Sequence, residues 1–291
     1  MTGLSLDGRI LLIAGPTASG KSERALAVAE REGAMIVNAD ALQVYRDLEI
    51  LSARPGPQGL ARAPHALYGH VDGAETYSVG RWLDAALAAI RDATQPLVFV
   101  GGTGLYFKAL TEGLAHIPTP SDDVIAEARA RLEAIGGEAF LAEIAGFDPK
   151  AAESLRPSDP SRLIRAWSVF QASGTPITDW RADTKPPLPT DAWRGVVIEP
   201  EREALYARCE ARFDAMMEAG GLDEARRLKA RDLDTDLPVM KAVGVRPLLD
   251  FLDDLISWEE AVDLAKRDTR RFAKRQLTWF RHQAKTWERA A

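Results

Sequence analysis

A single cysteine, Cys209, stands in the whole chain, so an internal disulfide and a cysteine-rich zinc site are both excluded. No apolar run approaches the roughly 20 residues that a membrane helix needs. The first residues, MTGLSLDGR, carry an acid at Asp7 and lack the basic head and apolar stretch of a signal peptide. Internal repeats and low-complexity tracts are missing as well. These absences lead us to expect a cytoplasmic protein with no membrane attachment.

What is present is ordinary in amount and uneven in distribution. The 291 residues suffice for one large domain, or for one domain carrying a smaller insertion. Hydrophobic residues make up 46% and charged residues 27%, as in a soluble globular protein. The net charge is -6, yet Leu264 to Ala291 holds nine basic and two acidic residues, a local +7 that leaves -13 for the rest. An acidic body with a basic end suggests a polyanion contact, set against the plainer reading of a solvated charged helix.

Four short apolar runs read as buried strands: RILLIAG (9–15), AMIVNAD (34–40), PLVFVGGTG (96–104) and RGVVIEP (194–200). Helical patterns lie between them, among them a helix from Ser22 to about Arg31 and SVGRWLDAALAAIRDA (78–93). Strands that alternate with helices and end in loops imply an α/β fold with a parallel, doubly wound sheet. Ligands of such sheets bind outside the carboxyl ends of the strands. The texture changes between about Pro118 and Pro189, where SDDVIAEARARLEAIGG and DPSRLIRAWSVFQASG are helical and no strand is evident. This stretch ends in the linker-like DTKPPLPT and reads as a helical insertion domain over 118–190, with the core in 1–117 and 191–291. The next segment, EREALYARCEARFDAMMEAGG, is a helix expected to stop at Gly220 or Gly221, and the C-terminal end reads as helical.

GPTASGKS matches the phosphate-binding pattern G-x-x-x-x-G-K-[ST] through Gly15, Gly20, Lys21 and Ser22. Its glycines let backbone N–H groups turn inward on phosphate oxygens, Lys21 adds a point charge, and Ser22 offers a ligand for Mg²⁺. The helix that follows contributes partial positive charge at its start. Nucleotide hydrolases with this turn also place an acid at the end of another strand. Here LVFV runs into GGTG without one, and the nearest acid is Asp40 in NADALQVY. Position alone leaves Asp40 open as metal ligand, structural cap or general base.

In this order and spacing, GPTASGKS, NADALQVY, GGTGLY, DPSRLIRAWSVFQASGTPI, PVMKAVGV and AKRQLTWFR resemble the bacterial tRNA dimethylallyltransferase family, from Gly15 to about His282. The resemblance implies transfer of a dimethylallyl group from dimethylallyl diphosphate to the exocyclic N6 of the adenosine 3′ of the anticodon. It further implies that Gly15, Pro16, Thr17, Ala18, Ser19, Gly20, Lys21 and Ser22 hold the diphosphate, with Mg²⁺ at Ser22. Asp40 would accept a proton from the adenine amine, Thr103 would lie beside the transferred group, and Arg246 would add charge across the crevice. Contacts to the tRNA anticodon stem-loop would come from Asp40, Ala41, Leu42, Gln43 and Thr103. Further contacts would come from Ser161, Arg162, Leu163, Ile164 and Arg165, and from Arg271 and Arg275 of the basic tail. The target base must swing out of its stack to enter such a site. A monomer is expected.

The chain departs from the family pattern at Ala41, where serine is usual, and at Val245, where an aromatic follows the glycine. Arg202 reads equally as a phosphate contact or a helix cap. His65 and His70 read as structural hydrogen bonders, and Cys209, Trp279 and Phe280 as packing. Three rivals differ in what they require. An adenylate isopentenyltransferase acting on free AMP or ADP needs neither insertion nor basic tail. A small-molecule kinase binding ATP needs an acid after residues 97–100. A non-catalytic RNA-binding module leaves the phosphate turn without a purpose.

Overall fold

The computed structural model describes residues 10–182 and 184–291. The leader reading at Asp7, Arg9 of the first strand run and Asp183 of DTKPPLPT lie outside the described residues. Six strands, β1 (Ile10–Ala14), β2 (Met35–Asn38), β3 (His65–Ala66), β4 (Leu97–Gly101), β5 (Trp193–Ile198) and β6 (Glu288–Ala290), form one sheet in the order β3-β2-β4-β1-β5-β6. Every pairing is parallel. The α/β doubly wound expectation therefore holds.

Side-chain alternation explains why the central strands read as unbroken apolar runs. Ile10, Leu12 and Ala14 of β1 enter one core cluster with Leu97 and Phe99 of β4, whereas Leu11 and Ile13 enter a second with Val98 and Val100. Both faces are thus covered, and polar residues are excluded from either. Each fully buried aliphatic side chain contributes about 1.5–3 kcal/mol. Helix α1 (Lys21–Glu32) covers the second face through Ala25, Leu26, Val28 and Ala29. The first face receives Trp82 and Ala86 of α3 (Val79–Asp92) and Tyr106, Phe107 and Leu110 of α4 (Gly104–Glu112). Between β2 and β3 lies the short α2 (Pro57–Arg62).

Two strands escaped the sequence reading. β3 has only two residues, and β6 replaces part of the helical tail by pairing Val196 with Glu288 and Ile198 with Ala290. Its sequence, ERA, has no apolar pattern, so pairing with β5 decides its conformation.

The chain divides into an α/β unit, which runs to Thr111 and resumes at Leu188, and a unit comprising Glu112–Pro187. The second contains α5 (Asp122–Phe147), α6 (Pro149–Ser154), α7 (Pro160–Ser173) and α8 (Ile177–Ala182). Its core joins Phe140 and Ile144 of α5 to Leu163, Ala166 and Trp167 of α7. Helix α5 does not stop at the double glycine: it kinks where Gly136 takes φ 77° and then resumes. Gly137 allows this return because a Cβ there would fall 2.2 Å from the Pro157 carbonyl oxygen. Asp148 caps α6 by accepting from the Ala151 N–H at 2.9 Å, and its carboxylate also accepts from the Thr178 hydroxyl at 2.6 Å.

Back in the α/β unit, α9 (Arg202–Glu218) ends before the glycines assigned as its stop. Gly220, at φ 98°, instead opens α10 (Gly221–Lys229), and Gly221 is already helical. A 3₁₀ turn at Pro238–Lys241 leads to α11 (Val245–Leu252). The last helix, α12 (Trp258–Gln283), starts with a capping box of Ser257 and Glu260. Among the described residues no helix is long and apolar enough to cross a membrane.

Candidate active site

Three loops leave the carboxyl ends of the neighbouring strands β2, β4 and β1; those after β1 and β2 border one cleft of about 730 Å³, counted with its solvent mouth, whereas the loop after β4, Thr103 included, does not line it. The turn after β1 is built from the quoted glycines. Ser19 N–H donates to the Pro16 carbonyl at 3.3 Å, Ala18 is left-handed at φ 58°, and Gly20 is left-handed at φ 85°. Gly20 caps α1 without any side-chain hydrogen bond, so the helix start presents its N–H groups without a side-chain acceptor. The Ser19 hydroxyl is buried with no partner among the described residues. Lys21 is buried, and its Nζ donates to the Pro16 carbonyl at 3.1 Å. Burial lowers its pKa to about 8; the Asp40 carboxylate opposes that shift, and the Arg212 charge adds to it.

Asp40 follows β2 and is held by its neighbours. Asn38 Oδ1 accepts from the Asp40 N–H at 2.9 Å, and Asn38 Nδ2 donates to the Asp40 carbonyl at 2.9 Å. The Asp40 carboxylate accepts from the Leu42 N–H at 3.0 Å, which fixes its rotamer and leaves acceptor capacity toward the cleft. Thr103 Oγ1 accepts from the Ala41 N–H at 2.9 Å, while the Thr103 N–H donates to the Ala39 carbonyl at 3.2 Å. The loop after β4 therefore aims the loop after β2. Such closeness requires glycine: a Cβ at Gly101 would fall 2.0 Å from the Ala39 carbonyl oxygen. Gln43 Nε2 donates to the carbonyls of Ser52 and Ala53, both at 2.9 Å, and Glu224 accepts from the N–H groups of Glu49, Ile50 and Leu51. These bonds shape the wall that Leu51 and Ser52 present to the cleft.

The lining of the cleft is mixed in chemistry. Thr17, Lys21, Ser22, Asp40 and Arg212 supply polar and charged groups; Leu51, Cys209, Phe213, Met216, Val243 and Phe272 supply apolar surface. Arg212 was missed in the sequence. It sits on α9 seven residues after Leu205 and three after Cys209, both fully buried, so an arginine on that apolar stripe was the available signal. Burial pushes its guanidinium below the usual arginine range, and Asp40 opposes the shift. Cys209 is buried against Leu205, Ala273 and Leu277, in keeping with packing, and burial raises its thiol pKa.

Other candidates fall elsewhere. Arg246 is exposed at the start of α11, paired with Asp250 at 2.8 Å, and does not line this cleft. Nor does Arg202, whose guanidinium lies over the Tyr206 ring and donates to its hydroxyl at 3.1 Å. Ala41 packs against the sheet core, and Val245 is fully buried beside Phe213 and Leu248. In the helical unit Ser161, Arg162 and Arg165 are exposed on α7, whereas Leu163 is fully buried and Ile164 packs against the same core. On α12 Arg271, Lys274 and Arg275 are exposed, with Arg275 over the Phe272 ring. Phe280 is buried, and Trp279 packs so closely that a Cβ at Gly104 would fall 2.1 Å from its ring. His65 Nδ1 lies 2.8 Å from the Ala63 carbonyl oxygen and His70 Nε2 lies 3.2 Å from the Tyr77 hydroxyl, both structural bonds. Among the described residues no group of three His, Cys, Asp or Glu forms a metal cluster.

Comparison with known proteins agrees along nearly the whole chain. The model described as IPP transferase matches residues 43–283, and the one described as isopentenyl transferase matches 8–66. A tRNA dimethylallyltransferase of Phenylobacterium zucineum is 52% identical over 98% of this chain and 93% of its own length. One from a Bradyrhizobium species is 52% identical over 99% and 94%. Among solved structures, a tRNA isopentenylpyrophosphate transferase of Bacillus halodurans matches with TM-score 0.66 at 32% identity, covering 97% of this chain and 89% of that one. A eukaryotic dimethylallyltransferase acting on tRNA shares the fold with TM-score 0.79 at 24% identity, covering 93% of this chain and 69% of that one.

Proposed function

This chain belongs to the IPP transferase family, and on that premise we propose that it transfers a dimethylallyl group from dimethylallyl diphosphate to N6 of the adenosine 3′ of the anticodon in tRNA. One observation carries the reading. A single cleft combines a buried lysine at a helix start, a second cation from α9, a carboxylate close to both, and an apolar wall. That combination suits an amphiphile with a doubly anionic head and a short hydrocarbon tail. A nucleotide hydrolase would need a metal-holding acid after β4, where Gly101 and Gly102 stand.

In the reaction the allylic C1–O bond breaks and a C1–N6 bond forms. The pyrophosphate leaves with the electron pair of the broken bond, and one N6 proton passes to the Asp40 carboxylate. Lys21, Arg212 and the N–H groups at the start of α1 meet the charge that grows on the leaving oxygen. Because Lys21 and the N–H groups are held before the reaction begins, they cost no reorganisation. Asp40, fixed by Asn38 and Leu42, orients a weakly nucleophilic aromatic amine and takes its proton, worth about 10²–10⁴ in rate. Thr103 holds the Asp40 loop in register. Arg212 takes the role that the family resemblance assigned to Arg246.

Mg²⁺ fits as an ion held by the Ser22 hydroxyl together with diphosphate oxygens and water, since the cleft offers hard oxygen donors but no protein cage. When bound, it would neutralise charge on the diphosphate. Exposed cations supply the contact with RNA phosphates: Arg271, Lys274 and Arg275 on α12, and Arg162 and Arg165 on α7. Leu163, being buried, supports that surface from within.

The test incubates the protein with labelled dimethylallyl diphosphate and either tRNA or AMP. Label in tRNA and none in AMP is expected. Label in AMP would assign the protein to the mononucleotide enzymes, and label in neither alongside ATP turnover would assign the cleft to a kinase.

A further inference from the structure

The amide of Gln276 ties the phosphate turn to the loop after β4. Its Oε1 accepts from the Thr17 N–H in the phosphate turn at 2.8 Å, and its Nε2 donates to the Gly102 carbonyl in the loop after β4 at 2.9 Å. The side chain is only 6% exposed, so both bonds form away from water and are hard to replace with solvent. Gly102 is shaped to this contact, because a Cβ there would fall 2.1 Å from Gln276 Nε2. The next residue, Thr103, holds Ala39 and Ala41 on either side of Asp40. A chain of four polar contacts therefore runs from the phosphate turn through Gln276 and Gly102–Thr103 to the carboxylate loop.

We propose that Gln276 is a positioning residue that sets the spacing between the leaving-group turn and the loop carrying the base. This role rests on the transfer reaction proposed above. The neutral amide offers one donor and one acceptor on a single short fork, as the two partners demand, which an ionised carboxylate of the same length does not. Gln276 also belongs to α12, whose exposed side carries Arg271, Lys274 and Arg275 and whose Thr269 and Phe272 line the cleft. The helix that meets RNA phosphates thus registers the two reacting groups from its inner face. In-line displacement at C1 is sensitive to such registration, since a shift of about 1 Å costs on the order of 10²-fold.

Two substitutions test it. Gln276→Met keeps the volume and removes both hydrogen bonds; Gln276→Glu keeps the acceptor for Thr17, removes the donor to Gly102 and adds negative charge beside the turn. Steady-state kinetics with tRNA and dimethylallyl diphosphate, pyrophosphate binding by calorimetry, tRNA affinity and thermal unfolding are measured for both. For Gln276→Met, kcat should fall by about tenfold or more. Its KM for tRNA and its pyrophosphate affinity should stay within about threefold, and it should remain folded at the assay temperature. Gln276→Glu should show the same fall in kcat together with weaker pyrophosphate binding. An undiminished kcat in either folded variant overturns the role, as does a loss expressed wholly in the KM for tRNA. Failure of both variants to fold would make the amide a stability element and overturn it equally. Wild-type enzyme assayed in parallel separates the two readings: without transfer by the wild type the reaction itself is withdrawn and the role with it.

Discussion

The two units of this chain bury polar groups for opposite purposes. In the α/β unit the buried polar residues are Ser19, Lys21, Asn38, Thr111, Glu224 and Gln276; in the helical unit they are Asp148 and Ser168. Asp148 caps a helix and fastens Thr178, which is architecture. Lys21, Asn38, Glu224 and Gln276 each hold or border a loop of the cleft. Buried polarity is costly unless satisfied, so a fold that concentrates it around the loops at the carboxyl ends of its central strands has traded some stability for aim. The helical unit keeps Arg162 and Arg165 of α7 outside, and apart from Asp148 and Ser168 its interior is apolar. Chemistry should therefore fail first in the one, and folding first in the other.

The sharpest way to break this contrast is Asp40→Ala. Transfer should fall by about 10²–10⁴ in single-turnover assays while pyrophosphate binding persists. Near-normal turnover would remove Asp40 from the base role. Next comes Arg212→Ala, expected to lower kcat by about 10²–10³ as a preorganised donor to the leaving group is lost. Arg246→Ala, measured beside it, should change kcat by less than about twofold, because Arg246 is exposed and engaged with Asp250. The reverse ranking would restore Arg246 to the site.

On the helical side, Leu163→Ala should cost about 2–5 kcal/mol in urea unfolding, with pyrophosphate affinity unchanged. A large change in that affinity would show that the cleft depends on this core and would erase the contrast. The smallest effect concerns pH. Lys21 titrates near pH 8, so its positive charge is present below that value and lost as pH rises through it. Pyrophosphate affinity should weaken between pH 7 and 9, by at most about tenfold per unit, and Lys21→Arg should flatten the profile. The ligand-free protein should respond with the opposite sign. Its folded pKa lies below the unfolded 10.5, so between about 8 and 10.5 the unfolded chain holds the extra proton and stability rises with pH.

Much of the sheet and part of the site were legible because they leave a pattern within a few consecutive residues. Ile10 to Ala14 and Leu97 to Gly101 are apolar at every position, which a strand covered on both faces requires. The phosphate turn announces itself because Gly20 must be left-handed where Lys21 begins a helix. β6 was hidden because the residues of ERA gain their conformation from β5 alone. That Arg246 lies outside the cleft was not legible, because a charged residue near a family motif gives no sign of which way its helix faces, and here it pairs with Asp250 on the surface.

By itself, then, the sequence determined where chain direction and backbone handedness had to change, since glycine, apolar alternation and helix caps act over a few residues. Tertiary structure decided which distant side chains complete the cleft. Arg212 reaches it from α9, and Gln276 meets Thr17 from 259 positions away. The physical reason is that a buried amide or guanidinium is favourable only against partners that folding brings to it, and no local pattern encodes those partners.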